Sequence, residues 1–269
     1  MPPVDWPLLL LCLAGSISAG LAIFHVVAAY YHLRYYVRRK GDAAAWKIQP
    51  KRWLTPEQHK DAALLSSFNV ALGGTFSGAL IYAITQGFET PIYTDVAEYG
   101  WAYTLLSGVG LFILNDAGAY YVHRALHTKT LFRLIHRHHH RYVATSPYVT
   151  VAVHPLELMA LQASSFLPLF VFPFHAGAIG AVLVYILVLN IVDHSGVRLR
   201  SSLPWQGPSM YHDDHHVHFH CNFGQHLMLW DRLHGTLRRP GRSYGVTVFG
   251  GRGRKSGGGK TAGDDFTGY

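Results

Sequence analysis

GWAYTLLSGVGLFILNDAGAYYVHRALHTKTLFRLIHRHHH, residues 100–140, decides the fold. Its first 23 residues, Gly100 to Val122, carry a single charge, Asp116. That length matches a helix crossing ~30 Å of hydrocarbon, which takes about 20 residues. Six histidines then follow between His123 and His140. The segment therefore reads as a membrane span that runs directly into a cluster of imidazoles. Working outward, Pro7–Tyr31, Ala62–Gln86, Leu158–Phe174 and Gly177–Val192 are also apolar and long enough, or nearly so, to span. The last two flank Pro173-Phe174-His175-Ala176-Gly177 and predict a hairpin that crosses the membrane and returns. The expected fold is an all-α integral membrane protein. It has four to five transmembrane or membrane-dipping helices under a His-rich helical cap. Three regions are expected: an N-terminal transmembrane part with a basic loop (1–99), a histidine domain (100–240) and a basic Gly-rich tail (241–269).

Composition agrees. Charged residues are 14% of the chain, against about 25% in ordinary globular domains. The net charge of +8 sits beside apolar runs, which favours a membrane surface over nucleic acid. Arg34, Arg38, Arg39, Lys40, Lys47, Lys51, Arg52 and Lys60 crowd the loop after the first span. The next loop, residues 87–99, carries only Glu89, Asp95 and Glu98. Positive charge stays cytoplasmic, so counting spans places both His-rich regions on the cytoplasmic face. Met1–Pro7 lacks a basic n-region and the first apolar run exceeds a signal-peptide core, so a retained span is expected. Cys12 and Cys221 read as free thiols in a reducing compartment. The tail from Gly250 to Tyr269 is expected to be disordered.

Of 19 histidines, 16 lie between His123 and His234. Three clusters keep helical spacing: His123 and His127; His136, His139 and His140; His212, His215 and His216. Residues three or four apart share a helix face, so His136 can pair with His139 or His140, and His212 with His215 or His216. Eight imidazoles exceed the four that one tetrahedral zinc needs and suit two metals, although imidazole alone does not choose between Fe, Zn, Cu and Ni. His194 ends the last span and can supply a ninth ligand. Asp116, a carboxylate inside a span, is expected to orient His123 or another ligand. His138 faces away. His175 sits at the wrong end, and His218, His220, His226 and His234 read as packing or surface residues.

Asp116-Ala-Gly-Ala-Tyr-Tyr-Val-His123-Arg124, His136-Arg-His-His139-His140 and His154-Pro-Leu-Glu157 together resemble the fatty acid hydroxylase and sterol desaturase superfamily. His212-Asp-Asp-His215-His216 with Asn222-Phe-Gly-Gln225, Leu229-Trp-Asp-Arg-Leu233 and Gly235-Thr236 is similar to its sterol C-5 desaturase branch. The resemblance covers about residues 100–240. It implies a non-haem di-iron centre, dioxygen as oxidant, a membrane lipid as substrate and electrons from a separate donor such as cytochrome b5 or a ferredoxin. It implies His123, His127, His136, His139, His140, His212, His215 and His216 as ligands, with His194 a looser match. Asn190, His154 and Asn222 join Asp116 as expected supporting residues. Asn190 stands where fatty acid hydroxylases tend to carry the first histidine of H-x-x-x-H, which argues against the 2-hydroxylase branch. The expected reaction is hydroxylation or desaturation of a sterol or sterol-like lipid, with fatty acyl, ether-lipid and carotenoid substrates as alternatives. The endoplasmic reticulum or a bacterial inner membrane would house it. A zinc hydrolase and a metal transporter are the rival classes. The first needs fewer ligands, and the second needs ligands at mid-membrane depth.

Overall fold

A computed structural model describes residues 3–201 and 206–255. Among the described residues the regular structure is helical apart from one pair of two-residue strands. Helix α1 (Trp6–Tyr31) continues through a π-helical turn to Val37. A short α2 (Ala43–Trp46) interrupts the basic loop before α3 (Pro56–Thr85). Then follow α4 (Gly100–Leu126), α5 (Lys129–Leu131), a π-helical turn (Phe132–His136) and α6 (Arg137–His140). Next come α7 (Pro155–Phe166), α8 (Ala176–His194), α9 (Ser209–His218) and α10 (Leu229–His234). Among the described residues, four helices are long and apolar enough to cross a membrane: α1 with its π turn, α3, α4 and α8. Their outer faces leave large apolar side chains uncovered, with Trp101 70% and Leu106 72% exposed. Such a surface belongs in lipid rather than water.

Local chemistry sets the helix ends. Thr55 and Gln58 form a reciprocal capping box on α3, and Pro56 occupies the first helical position. Pro155 starts α7 behind His154, whose ring accepts the Leu156 N–H. Helices α1 and α3 approach backbone to backbone because Gly74 and Gly78 sit one turn apart. A Cβ on Gly78 would lie 2.6 Å from the Cys12 carbonyl oxygen and one on Gly74 2.8 Å from Ile17 Cα. Small residues at this spacing are the usual way apolar helices associate in lipid.

The hairpin expected at Leu158–Val192 is present, with a shorter first arm. Helix α7 ends at Phe166 and a 3₁₀ turn carries the chain to Phe170, because Pro168 cannot continue an α-helix. Its tip reaches the far end of the bundle. There the Tyr93 N–H donates to the Phe174 carbonyl (3.1 Å) and the Ala176 N–H to the Tyr93 carbonyl (2.8 Å). Helix α8 then returns to the histidine end.

The turn-rich segment 141–154 is held to α3 by buried polar groups. Asn69 Nδ2 donates to the Val151 and Val153 carbonyls, both at 2.8 Å, and Ser66 Oγ to the Tyr148 carbonyl at 2.8 Å. The basic loop meets the histidine end as well, through the Ile48 N–H on the Gly196 carbonyl (3.0 Å). Lys47 in that loop is buried, and burial lowers its ammonium pKa to about 8. Part of the expected disordered tail is ordered. Strand β1 (Arg242–Ser243) pairs with β2 (Arg254–Lys255), and Gly251 packs tightly on Thr236 and Phe223 at a φ of +78°. The remainder of that tail, from residue 256, lies outside the described residues.

Candidate metal centre

The nine histidines singled out from the sequence come together in two buried groups. His123, His127, His136, His140 and His215 form one; His139, His194, His212 and His216 form the other. Within each group, the ligand nitrogens all lie within 4.8 Å of one another. The second and third histidine clusters divide between the groups by helix geometry, while His123 and His127 stay together. Neighbours on a helix point about 100° apart at 3.6 residues per turn. So His140 faces the five-histidine group and His139 the other, while His215 and His216 separate in the same way. The cluster pairs that share a group are four apart: His123 with His127, His136 with His140, and His212 with His216.

The outer ring nitrogens show which way each imidazole is turned. His123 Nδ1–H donates to the Phe223 carbonyl at 2.7 Å, and His215 Nδ1–H to the Cys221 carbonyl at 2.7 Å. His136 Nδ1–H donates to Glu157 Oε1 at 2.8 Å. His220 Nε2–H donates to the Val246 carbonyl at 3.0 Å, leaving its Nδ1 to accept from His127 Nδ1–H at 3.1 Å. A neutral imidazole has one N–H, so in these four ligands Nε2 carries a lone pair. Those lone pairs converge. The Nε2–Nε2 separations are 3.1 Å for His123–His136, 3.2 Å for His123–His127, and 3.1 Å for both His140–His136 and His140–His215. Facing lone pairs repel unless a cation lies between them. Metal–nitrogen bonds of roughly 2.1 Å set neighbouring ligands about 3 Å apart. The residues therefore fit a metal ion.

The four-histidine group is held less firmly from outside. His194 Nδ1–H donates to the Asn190 carbonyl (2.8 Å), and His139 Nδ1–H reaches the Ala152 carbonyl at 3.4 Å. Inside, His194 Nε2 lies 2.9 Å from His212 Nε2 and 3.3 Å from His139 Nε2. His212 Nδ1 and both nitrogens of His216 have no hydrogen-bond partner. Burial drives the His136 pKa down to about 3. Burial, reinforced by neighbouring imidazoles, puts those of His127, His139, His140, His212, His215 and His216 well below the ordinary value. All are thus neutral, as ligands must be. Glu157 is pushed up to about 8, also by burial.

The supporting residues differ from expectation in instructive ways. Asp116 does not touch His123. Its carboxylate accepts the His226 N–H (3.0 Å) and the Trp230 Nε1–H (2.8 Å), so it anchors the segment 226–230 instead. Asn190 acts through its main-chain carbonyl on His194. His154 caps α7 and its ring lies 5.6 Å from that of His138. Asn222, at φ +53°, binds the Tyr211 carbonyl (3.1 Å) and the Arg238 N–H (2.7 Å), which shapes the loop bearing the Cys221 and Phe223 carbonyls. Asp231 fixes the same loop, accepting the N–H groups of Phe223 and Gly224 and the hydroxyls of Thr236 and Tyr211.

Three contributors escaped the sequence reading. Glu157 sat unassigned in a noticed motif. His220 and His226 read as packing, yet His220 orients His127. His226 is 3% exposed and its Nδ1–H donates to Asp193 Oδ2 at 3.1 Å. The signal for His226 was its position beside Gln225, next to the third histidine cluster.

A small cavity of about 110 Å³ opens against the two groups. Its walls combine His123, His139, His194 and His212 with apolar Val151, Leu158, Leu161 and Ile186. A larger apolar groove of about 1030 Å³ runs between α4 and α8 to α10, lined by Leu105, Phe112, Val182, Tyr185 and Met228 among others.

Residues 108–236 match the fatty acid hydroxylase family model. The chain is 31% identical over 153 residues to lathosterol oxidase of Mus musculus, covering 55% of this chain and 51% of that protein. It is 31% identical over 163 residues to the Delta(7)-sterol 5(6)-desaturase erg3B of Aspergillus fumigatus, covering 60% and 45%. It is 32% identical over 169 residues to methylsterol monooxygenase 1 of Danio rerio, covering 61% and 57%. The chain thus spans about half the length of the curated relatives it matches. No solved structure matches. Residues 108–236, just under half of the chain, are thus similar to the fatty acid hydroxylase family, and the relatives matched over about the same length are oxidoreductases that include a lathosterol oxidase and a Delta(7)-sterol 5(6)-desaturase.

Proposed function

We propose that the chain is a membrane-bound di-iron oxidoreductase. It uses dioxygen and electrons from an external donor to hydroxylate or desaturate a sterol. The observation that carries this reading is the pair of buried imidazole groups; in the five-histidine group, His123, His127, His136 and His215 commit their outer nitrogens to carbonyls, Glu157 and His220 and converge on their inner lone pairs. His123, His127, His136, His140 and His215 would hold one iron, and His139, His194, His212 and His216 the other. When bound, the two irons would supply the redox chemistry by which dioxygen oxidises a C–H bond. The protein's own part is to fix the ligands, exclude water and present a hydrocarbon to them. The apolar wall of the 110 Å³ cavity, between α7 and α8, does the last.

The basic loop and both histidine groups meet at one end of the bundle, while Glu89, Asp95 and Glu98 lie in the loop at the other. The positive-inside rule then puts the site on the cytoplasmic face, where a soluble or membrane-anchored donor such as cytochrome b5 or a ferredoxin can reach it. The endoplasmic reticulum or a bacterial inner membrane fits that topology. The relatives' names support a sterol substrate; their division between desaturase and monooxygenase keeps both outcomes within one chemistry. A four-histidine group alone would suit zinc, but five inward imidazoles beside it exceed a zinc site.

The test uses membranes expressing the wild type or His139→Ala, supplied with ferrous iron, a reductant and oxygen. Mass spectrometry of the lipids should find a product with one added oxygen or two fewer hydrogens in the wild type alone. Identical lipid profiles would overturn the reading.

A further inference from the structure

We propose that Asn115 and His226 form a hydroxyl-binding site that grips the polar head of a lipid alcohol and so sets which C–H faces the imidazoles. The inference rests on the oxidoreductase reading above and adds the residues that select the substrate. Asn115 lies in α4, inside an apolar span, and is 2% exposed. Neither its Nδ2 nor its Oδ1 has a hydrogen-bond partner. A buried primary amide with nothing to bind is costly, and in hydrocarbon that cost marks a functional group.

His226 presents the complementary oddity. Its Nδ1–H is taken by Asp193 at 3.1 Å and its main-chain N–H by Asp116 Oδ1 at 3.0 Å. Its Nε2 is buried and has no partner. Both residues line the same cavity as His123, His139, His194 and His212.

The chemistry of the pair selects the ligand. With Nδ1–H donated to Asp193, His226 Nε2 accepts from a hydroxyl when the ring is neutral and donates to one when it is protonated. Asn115 offers two donors and an acceptor. A hydroxyl, which donates once and accepts twice, satisfies both together. A carboxylate or phosphate would set its charge against Asp116 and Asp193 in an apolar chamber. The site is thus matched to a neutral alcohol.

Position adds a ruler. Eight residues separate Asn115 from His123 on one helix, about 12 Å of axis. That separation is an upper bound along the helix, so the reacting carbon lies within it of the hydroxyl rather than at the far end of a long chain. On the far side of His226, the Phe112 ring stacks on it at 6.0 Å and faces the large groove.

The experiment measures binding of lathosterol and of its 3-O-methyl ether to the purified full chain in detergent, by direct titration, alongside lipid conversion in membranes. The wild type should bind the alcohol about tenfold or more tightly than the ether, one hydrogen-bonding site being worth that much. Asn115→Leu, close in volume and apolar in an apolar span, should bind the two within about twofold, and His226→Phe should do the same. Asn115→Ser, which keeps a donor and an acceptor, should recover part of the preference. Equal affinity of the wild type for alcohol and ether, failure to bind either, or full preference retained by both Asn115→Leu and His226→Phe would overturn the site. Lipid conversion without alcohol preference would sink this site and leave the oxidoreductase standing. Alcohol preference without conversion would do the reverse.

Discussion

The two histidine groups are built from the same residue type at the same spacing, yet they are not equally prepared. In the five-histidine group, four outer nitrogens are anchored, by Phe223, His220, Glu157 and Cys221. In the four-histidine group only His194 has a short anchor, His139 has a long one, and His212 Nδ1 and His216 have none. Outer partners fix ring orientation and ligand basicity. The first group is therefore preorganised for its ion, while the second must be completed by its ion.

The largest effect should come from removing a ligand. His140→Ala and His216→Ala should each abolish lipid oxidation, because both groups are needed. They should leave different metal contents: His216→Ala keeps the firmly held ion and His140→Ala loses it. Elemental analysis of the purified proteins checks this, and equal loss in both would erase the contrast.

Next in size is stepwise stripping. A chelator titration of the loaded wild type should release one ion readily and a second only at higher chelator concentration. His216→Ala should lack the early step. A single concerted release would show that the two groups are equivalent.

Glu157→Gln probes one anchor. Its loss should weaken metal binding about 10–100-fold, with the late step of the chelator titration moving earlier and the early step unmoved. Movement of both steps together would mean that Glu157 supports the whole centre.

The contrast also separates what the sequence made legible from what it did not. Helical spacing within each cluster is local, so eight of the nine histidines that the structure brings together could be picked out from the sequence by spacing, and His194 by its place at the end of a span. Which of two adjacent histidines serves which group is set by helix rotation, and that waits on three dimensions. The anchors were hidden for a different reason. Phe223 and Cys221 act through carbonyls that any residue owns, and Phe223 lies 100 residues from His123 in the chain. Asp116 stood out as a charge in a span, but its partners are His226 and Trp230, more than 100 residues on. The spans were legible from length and apolarity. The shortened first arm of the hairpin followed from Pro168, and the ordering of residues 242–255 from the packing of Gly251, a contact that composition cannot show.

The smallest effect tests whether the centre depends on the N-terminal pair of spans. Gly78→Val forces a side chain against the Cys12 carbonyl. It should destabilise the α1–α3 contact by about 1–3 kcal/mol while both ions stay bound. Thermal unfolding followed together with metal content reads both; loss of metal without loss of stability would contradict the division.

The most direct test of the central claim is the iron content of the full chain, reconstituted anaerobically with ferrous iron. Two irons per chain are expected in the wild type and fewer than one in His139→Ala/His140→Ala, which removes one histidine from each group. One iron per chain in the wild type, or two retained by the double variant, would contradict it.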